Sequence, residues 1–212
     1  ARLLRVNTYV PFCPEDPKTR LAPLLTDEER VEFVYACLAD VCAAVEEAGG
    51  EPLVLSTEPL DGNAMEGYEK VVRDEPLTPA VNAVLSDETP PVAVVVADLP
   101  LVTPHALRRL YSHDDGFVVA PGRGGGTNAF VTRDPDFRVD YHGTSFVDHI
   151  ERARELGCET KVIDSFRLST DADEPADLVE VLLHGEGSAA RFIDERFEVV
   201  EDDEKRVSVE RR

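Results

Sequence analysis

The chain has 212 residues and a mass of 23.3 kDa, enough for one fairly large domain with a real hydrophobic core. Its 43 acidic side chains against 22 basic ones leave a formal net charge of −21, a surface that repels phosphate backbones and anionic lipid and so argues against nucleic acid or membrane as a partner. With 42% hydrophobic residues it is too apolar to remain disordered.

Leu3 to Val10 reads as a first strand, ending at Pro11, and a polar, proline-punctuated loop runs from Cys13 to Arg20. Thr26 and Glu29 form a T-x-x-E capping box. Val31, Val34, Leu38, Val41 and Val45 then recur at spacings of three and four, which predicts a helix stopped by Gly49-Gly50. Leu53 to Ser56 completes a first β-α-β unit. The weak pattern from Asp61 to Glu75 predicts a short helix followed by a short edge strand. Thr78-Pro79 opens another helix, with Pro at its first position, running to about Ser86. Pro91 to Ala97 is a continuous apolar run without polar alternation, which predicts a central parallel strand covered on both faces. Thr103-Pro104 caps a helix through Leu110. Phe117 to Ala120 and Ala129 to Thr132 are strands, separated by a glycine-rich loop. Ser145 to Leu156 is a helix with Ser145 as its N-cap, Lys161 to Asp164 a strand and Glu174 to Leu183 a helix. Strands alternating with helices in this way predict an α/β fold with a mostly parallel central sheet flanked by helices. Residues 1–184 then form one domain. Residues 185–212 form an acidic extension whose two β-rich runs, Phe197 to Val200 and Arg206 to Val209, could pair as a hairpin.

Within the basic set Arg outnumbers Lys by 18 to 4, and there is no Trp. High acidity with few lysines resembles the proteins of salt-loving cytoplasms, where concentrated salt screens self-repulsion. Cys13, Cys37, Cys42 and Cys158 show neither CxxC nor zinc spacing and read as reduced, small apolar residues. No run of about 18 apolar residues and no signal-peptide pattern is present, so the expectation is a soluble cytoplasmic protein.

In an open α/β sheet, ligands bind at the carboxyl ends of the strands. Five features fall there. Lys18 and Arg20 follow the first strand and carry the two groups best suited to polyphosphate, or are solvated loop charges. Asp98 ends the most apolar strand and needs a cation or donors; it is either a Mg²⁺ ligand or a turn cap. Asp171 and Asp173 either cap the helix that follows or complete a metal site with Asp98. Arg123, three glycines, Thr127 and Asn128 make either an anion-binding loop or a flexible hairpin. Gly143, Thr144 and Ser145 precede a helix, a ready anion site or a simple cap. No nucleophile elbow, Ser-His-Asp order or zinc spacing occurs, which sets aside covalent and zinc mechanisms.

In their order along the chain, Pro17-Lys18-Thr19-Arg20-Leu21, Asn82, Ala97-Asp98-Leu99-Pro100, Arg123-Gly124-Gly125-Gly126-Thr127-Asn128, Gly143-Thr144-Ser145-Phe146 and Asp171-Ala172-Asp173-Glu174-Pro175 resemble the 2-phospho-L-lactate guanylyltransferase family. The resemblance spans roughly residues 3 to 184. It implies a single Rossmann-like, GT-A-like nucleotidyltransferase domain that joins the GMP of GTP to 2-phospho-L-lactate, or in some relatives to phosphoenolpyruvate, in making coenzyme F-420. It further implies that Lys18, Arg20 and Arg123 hold the triphosphate and that Asn82 lies near the guanine. Asp98 with Asp171 or Asp173 would hold Mg²⁺. Thr127, Asn128, Gly143 and Ser145 would meet the acceptor, and the chain would form a homodimer. A related nucleotidyltransferase with a sugar-phosphate or molybdopterin acceptor, and a nucleotide-binding regulatory module without catalysis, are the alternatives.

Overall fold

A computed structural model describes residues 5–60 and 65–212. Leu3 and Leu4 of the expected first strand, and residues 61–64 of the expected short helix, lie outside them. In chain order the elements are β1 (Asn7–Phe12), a short 3-10 turn (Thr19–Leu21), α1 (Asp27–Ala48), β2 (Glu51–Ser56), β3 (Glu69–Val72), α2 (Leu77–Asp87), β4 (Val92–Val95) and α3 (Pro104–Tyr111). They continue with β5 (Phe117–Pro121), β6 (Thr127–Thr132), α4 (Ser145–Glu155), β7 (Thr160–Val162), α5 (Phe166–Ser169), α6 (Asp177–His184), α7 (Ser188–Asp194), β8 (Phe197–Glu201) and β9 (Val207–Arg211).

Seven strands form one sheet in the order β3-β2-β1-β4-β6-β5-β7. Its pairs are parallel except those made by β6, which runs antiparallel to both β4 and β5. The central strand β4 is therefore parallel to β1 on one side only, a correction to the all-parallel surroundings expected for it. An unbroken apolar run reports cover on both faces and carries no information on strand direction. The short loop between β5 and β6 sets those two antiparallel, while the direction of β4 against β6 is set by their pairing.

Alternate residues of each strand enter opposite cores. Val10, Val54, Val95 and Val131 face α1 and α3, while Tyr9, Leu53, Val94 and Phe130 face α2 and the segment from Phe137 to Ala153. Helix α1 is apolar on two sides. Val34, Leu38, Val41 and Val45 meet the sheet, and Phe33 and Cys37 pack with Leu178, Val181, Ile193 and Phe197 in a third cluster. Residues of α7 and the β8–β9 hairpin thus cover the back of α1, with Ile193 and Phe197 fully buried.

The start of α1 has both halves of its capping box, Glu29 N–H donating to Thr26 Oγ1 at 3.2 Å and Thr26 N–H to Glu29 Oε2 at 3.0 Å. Gly49, at φ 95°, ends the helix in the left-handed conformation that glycine tolerates best. Three other helix starts differ from expectation. Helix α2 begins at Leu77, so Pro79 is its third residue, and Thr78 Oγ1 accepts the Tyr141 N–H at 3.0 Å instead of capping. The cap of α4 is Thr144, and Ser145 is its first helical residue. Helix α6 starts at Asp177, whose carboxylate accepts the N–H groups of Asp173 and Glu174 at 2.9 and 2.8 Å.

Candidate active site

Where the sheet order reverses, between β1 and β4, the chain leaves toward opposite edges of the sheet, from β1 to β2 and from β4 toward β5, and the carboxyl ends of the strands at such a point are where ligands bind. A cleft of about 670 Å³ lies there. Lys18, Arg20, Asp98, Asn128, Asp171 and Asp173, six of the residues singled out from the sequence, line it together. They come from the loop after β1, the end of β4, the start of β6 and the segment after α5, which are as much as 155 residues apart in the chain.

Lys18 is the pivot of this group. Its backbone is left-handed, with φ 53° and ψ 45°, and its side chain is only 11% exposed. Nζ donates to Asp98 Oδ2 at 2.5 Å and also to Asp173 Oδ1. Burial alone would lower its proton affinity, but Asp98 and Asp173 outweigh burial and hold the ammonium above the ordinary lysine range. The loop carrying Lys18 is braced from α1 by Arg30, a residue sequence reasoning passed over. Its buried guanidinium donates from Nε to Pro17 O at 2.9 Å and pairs with Asp16 at 3.0 Å and Asp27 at 2.8 Å. An arginine amid the apolar positions of a helix is the signal that was available.

Asp98 is anchored by its backbone carbonyl, which accepts the Ala172 N–H at 3.2 Å and ties the turn after β4 to the Asp171–Asp173 segment. Asn128 Nδ2 donates to Leu168 O at 3.0 Å and to Asp171 Oδ1 at 3.3 Å. A Cβ at Gly122 would come within 2.5 Å of Asn128 Oδ1, so a glycine there makes room for this amide. Burial and the neighbouring Asp98 raise the Asp171 carboxyl above its usual range.

The donor set fits a hard divalent cation. Asp98 Oδ1 is buried and has no hydrogen-bond partner, while Oδ2 already faces a positive charge. Among the described residues no group of three or more His, Cys, Asp or Glu side chains is arranged to hold a metal by itself. Mg²⁺ does not need one, because it commonly takes one or two carboxylates and completes its octahedron with water and substrate phosphate.

Arg123 pairs with Asp177, outside the cleft lining, and Arg20, within the lining, pairs with the exposed Glu174 at 3.4 Å. Asn82 does not reach the cleft: its amide donates to Val139 O at 3.0 Å and accepts the Val139 N–H at 2.8 Å, which fixes the chain before Tyr141. Asp173 does not cap α6; its carboxylate goes to Lys18. Thr127 and Ser145 are buried next to each other, with hydroxyls 3.4 Å apart, beside His149, another residue the sequence reading did not single out. Gly143, at φ 54°, makes the turn that delivers Ser145, and Phe146 N–H donates to Gly125 O, tying this turn to the glycine loop. Cys37 and Cys42 are buried, and burial raises both thiols, Cys42 to about 12, so they remain uncharged core residues. No helix among the described residues is long and apolar enough to cross a membrane.

Comparison with known proteins gives this geometry a context. The family model "Guanylyl transferase CofC like" matches residues 6–212. The chain is 53% identical over 208 residues to the 2-phospho-L-lactate guanylyltransferase of Natronomonas pharaonis, covering 98% of this chain and 100% of that protein. It is also 53% identical over 188 residues to the protein of the same name from Halomicrobium mukohataei, covering 89% and 91%. Among solved structures, a putative nucleotide-diphospho-sugar transferase from Desulfovibrio desulfuricans G20 superposes with a TM-score of 0.71 at 14% identity, covering 90% of this chain and 95% of that one. At that identity the likeness is one of fold.

Proposed function

This chain belongs to the CofC-like guanylyl transferase family, and from that premise we propose that it transfers GMP from GTP to 2-phospho-L-lactate, giving lactyl-2-diphospho-5'-guanosine and pyrophosphate in coenzyme F-420 biosynthesis. The observation that carries the reading is the meeting of Lys18, Asp98 and Asp173 in one cleft at the point where the sheet order reverses.

In this reaction an oxygen of the acceptor phosphate attacks the α-phosphorus of GTP. One P–O bond forms, the bond from the α-phosphorus to the bridging oxygen breaks, and pyrophosphate leaves with the electron pair. The acceptor is already an anion, so no general base is required. The difficulty is bringing two polyanions together on a protein of charge −21. Lys18 and Arg20 would take the triphosphate, and Thr127, Gly143 and Ser145 the phosphate and carboxylate of the acceptor. Asp98 and Asp171 would hold Mg²⁺, with Asp173 the alternative to Asp171. When bound there, Mg²⁺ would supply charge neutralisation at the triphosphate. The same negative field supports a high-salt setting, in which screening over a few ångströms lets anionic substrates approach.

Asp98→Asn and Lys18→Met test the assignment. Each is expected to slow pyrophosphate release from GTP by about two orders of magnitude, the usual loss for one preorganised electrostatic group. Full activity in either variant would remove that residue from the site.

A further inference from the structure

His149 follows Ser145 by one turn of α4, and its ring is fully buried. Phe130, Phe137 and Tyr141 pack around it edge-on. Its two ring nitrogens are engaged differently. The backbone N–H of Asp140 donates to Nε2 at 2.9 Å. A ring nitrogen that accepts an N–H offers a lone pair and bears no proton, so the imidazole proton is on Nδ1. Nδ1 lies 2.9 Å from Thr127 Oγ1 and therefore donates to it. Ser145 Oγ donates to the same oxygen at 3.4 Å. Both acceptor positions of Thr127 Oγ1 are then filled, and its own proton finds no acceptor among the described residues. Gly126, next to Thr127, and Gly143, two residues before Ser145, both face open space. The ring is also neutral at pH 7, because burial, with Arg152 nearby, lowers its pKa to about 4.

We propose that His149 is a positioning residue for the acceptor substrate: locked in one tautomer, it turns the Thr127 hydroxyl so that its proton is offered to an anionic oxygen of the bound phosphorylated acid. The inference rests on the reading of Thr127 as an acceptor contact. Asp140 N–H acts as the lock, His149 as the lever, and Thr127 as the group that meets the ligand. A residue serving only to fill space among these rings would need neither hydrogen bond.

Two near-isosteric substitutions separate the two nitrogens. His149→Asn places an amide N–H near the Nδ1 position, keeping the donor to Thr127 and losing the acceptor for Asp140. His149→Gln places its carbonyl near the Nε2 position, keeping the Asp140 bond and losing the donor. With acceptor-dependent pyrophosphate release from GTP as the assay, His149→Gln is expected to raise the KM for 2-phospho-L-lactate about tenfold, the effect of one hydrogen bond to a charged group, with the KM for GTP unchanged. His149→Asn is expected to keep an acceptor KM close to that of the wild type while melting at a lower temperature. Equal acceptor KM values in both variants, whether unchanged or raised together, would overturn the proposal and leave His149 a structural residue. A second readout needs no turnover: imidazole ¹⁵N spectra of the full chain are expected to show the proton on Nδ1, and a proton on Nε2 would overturn the proposal. If the wild type released no pyrophosphate with any phosphorylated hydroxy acid, the acceptor reading would fail instead, and the spectrum would still decide the tautomer.

Discussion

Arg30→Met removes the fork that holds the loop after β1 while keeping most of the side-chain volume. The three contacts of the guanidinium do not weigh equally. Asp16 and Asp27 are 70% and 92% exposed, so their pairs are screened by water and contribute about 0.5 kcal/mol each at most. The Pro17 carbonyl is part-buried, and losing a charged donor at 2.9 Å costs about 1.5 kcal/mol. Removing a desolvated charge and filling the space with a thioether offsets part of this, which leaves a net loss of about 1–2 kcal/mol. For a chain of this length that lowers the melting temperature by roughly 2–8 °C, readable by calorimetry. The effect on turnover is expected to be larger than the effect on stability. Lys18 sits in a left-handed conformation one residue beyond the braced carbonyl, and a displacement of about 1 Å in a positioning group costs ten- to hundredfold in kcat/KM. Arg30→Lys, a single point donor in place of a fork, is expected to fall between the two. A variant that melts early yet retains its kcat/KM for GTP would refute the claim that Arg30 positions Lys18.

Three further changes are informative. Gly122→Ala is expected to push Asn128 off Asp171, because the new methyl would sit 2.5 Å from Asn128 Oδ1, and to lower activity with little loss of secondary structure by circular dichroism. Asp171→Asn is expected to raise the melting temperature at pH 7 while reducing activity. The folded-state carboxyl titrates above its unfolded value, so the wild type loses stability as pH rises through that window, and the amide escapes the loss; a lower melting temperature at pH 7 would contradict this. His149 acts in the opposite sense. Its folded pKa, about 4, lies below the unfolded value, so its contribution is present above the usual histidine range and lost as pH falls from there to about 4. Replacing it with Asn is expected to flatten that part of the acid-unfolding profile.

The α/β class, the principal helices and the six residues that meet in the cleft were legible because they rest on local signals: apolar periodicity, a capping box, and polar residues at strand ends. What was hidden depended on partners distant in sequence. Nothing near Asn82 announces that Val139 will take both ends of its amide, and nothing near Asp173 announces Lys18, 155 residues away. The helices α5 and α7 span only 4 and 7 residues, too short for a periodic pattern to declare itself. His149 escaped notice for a related reason: it occupies a core-facing position of α4, where a histidine looks like any other interior residue until its two nitrogens are traced to Thr127 and Asp140. The direction of β4 against β6 is likewise a property of the pair and not of either strand.

The charge of −21 makes the substrates themselves the sharpest test, since both are strongly anionic and must converge on a handful of cations. The decisive measurement is identification of the product by mass spectrometry after incubating the chain at molar salt with GTP, Mg²⁺ and a panel of acceptors: 2-phospho-L-lactate, phosphoenolpyruvate and a sugar phosphate. Lactyl-2-diphospho-5'-guanosine and one equivalent of pyrophosphate are expected from 2-phospho-L-lactate, with formation of both about a hundredfold slower in the Asp98→Asn variant. Consumption of ATP in place of GTP, or a product formed only with the sugar phosphate, would contradict it.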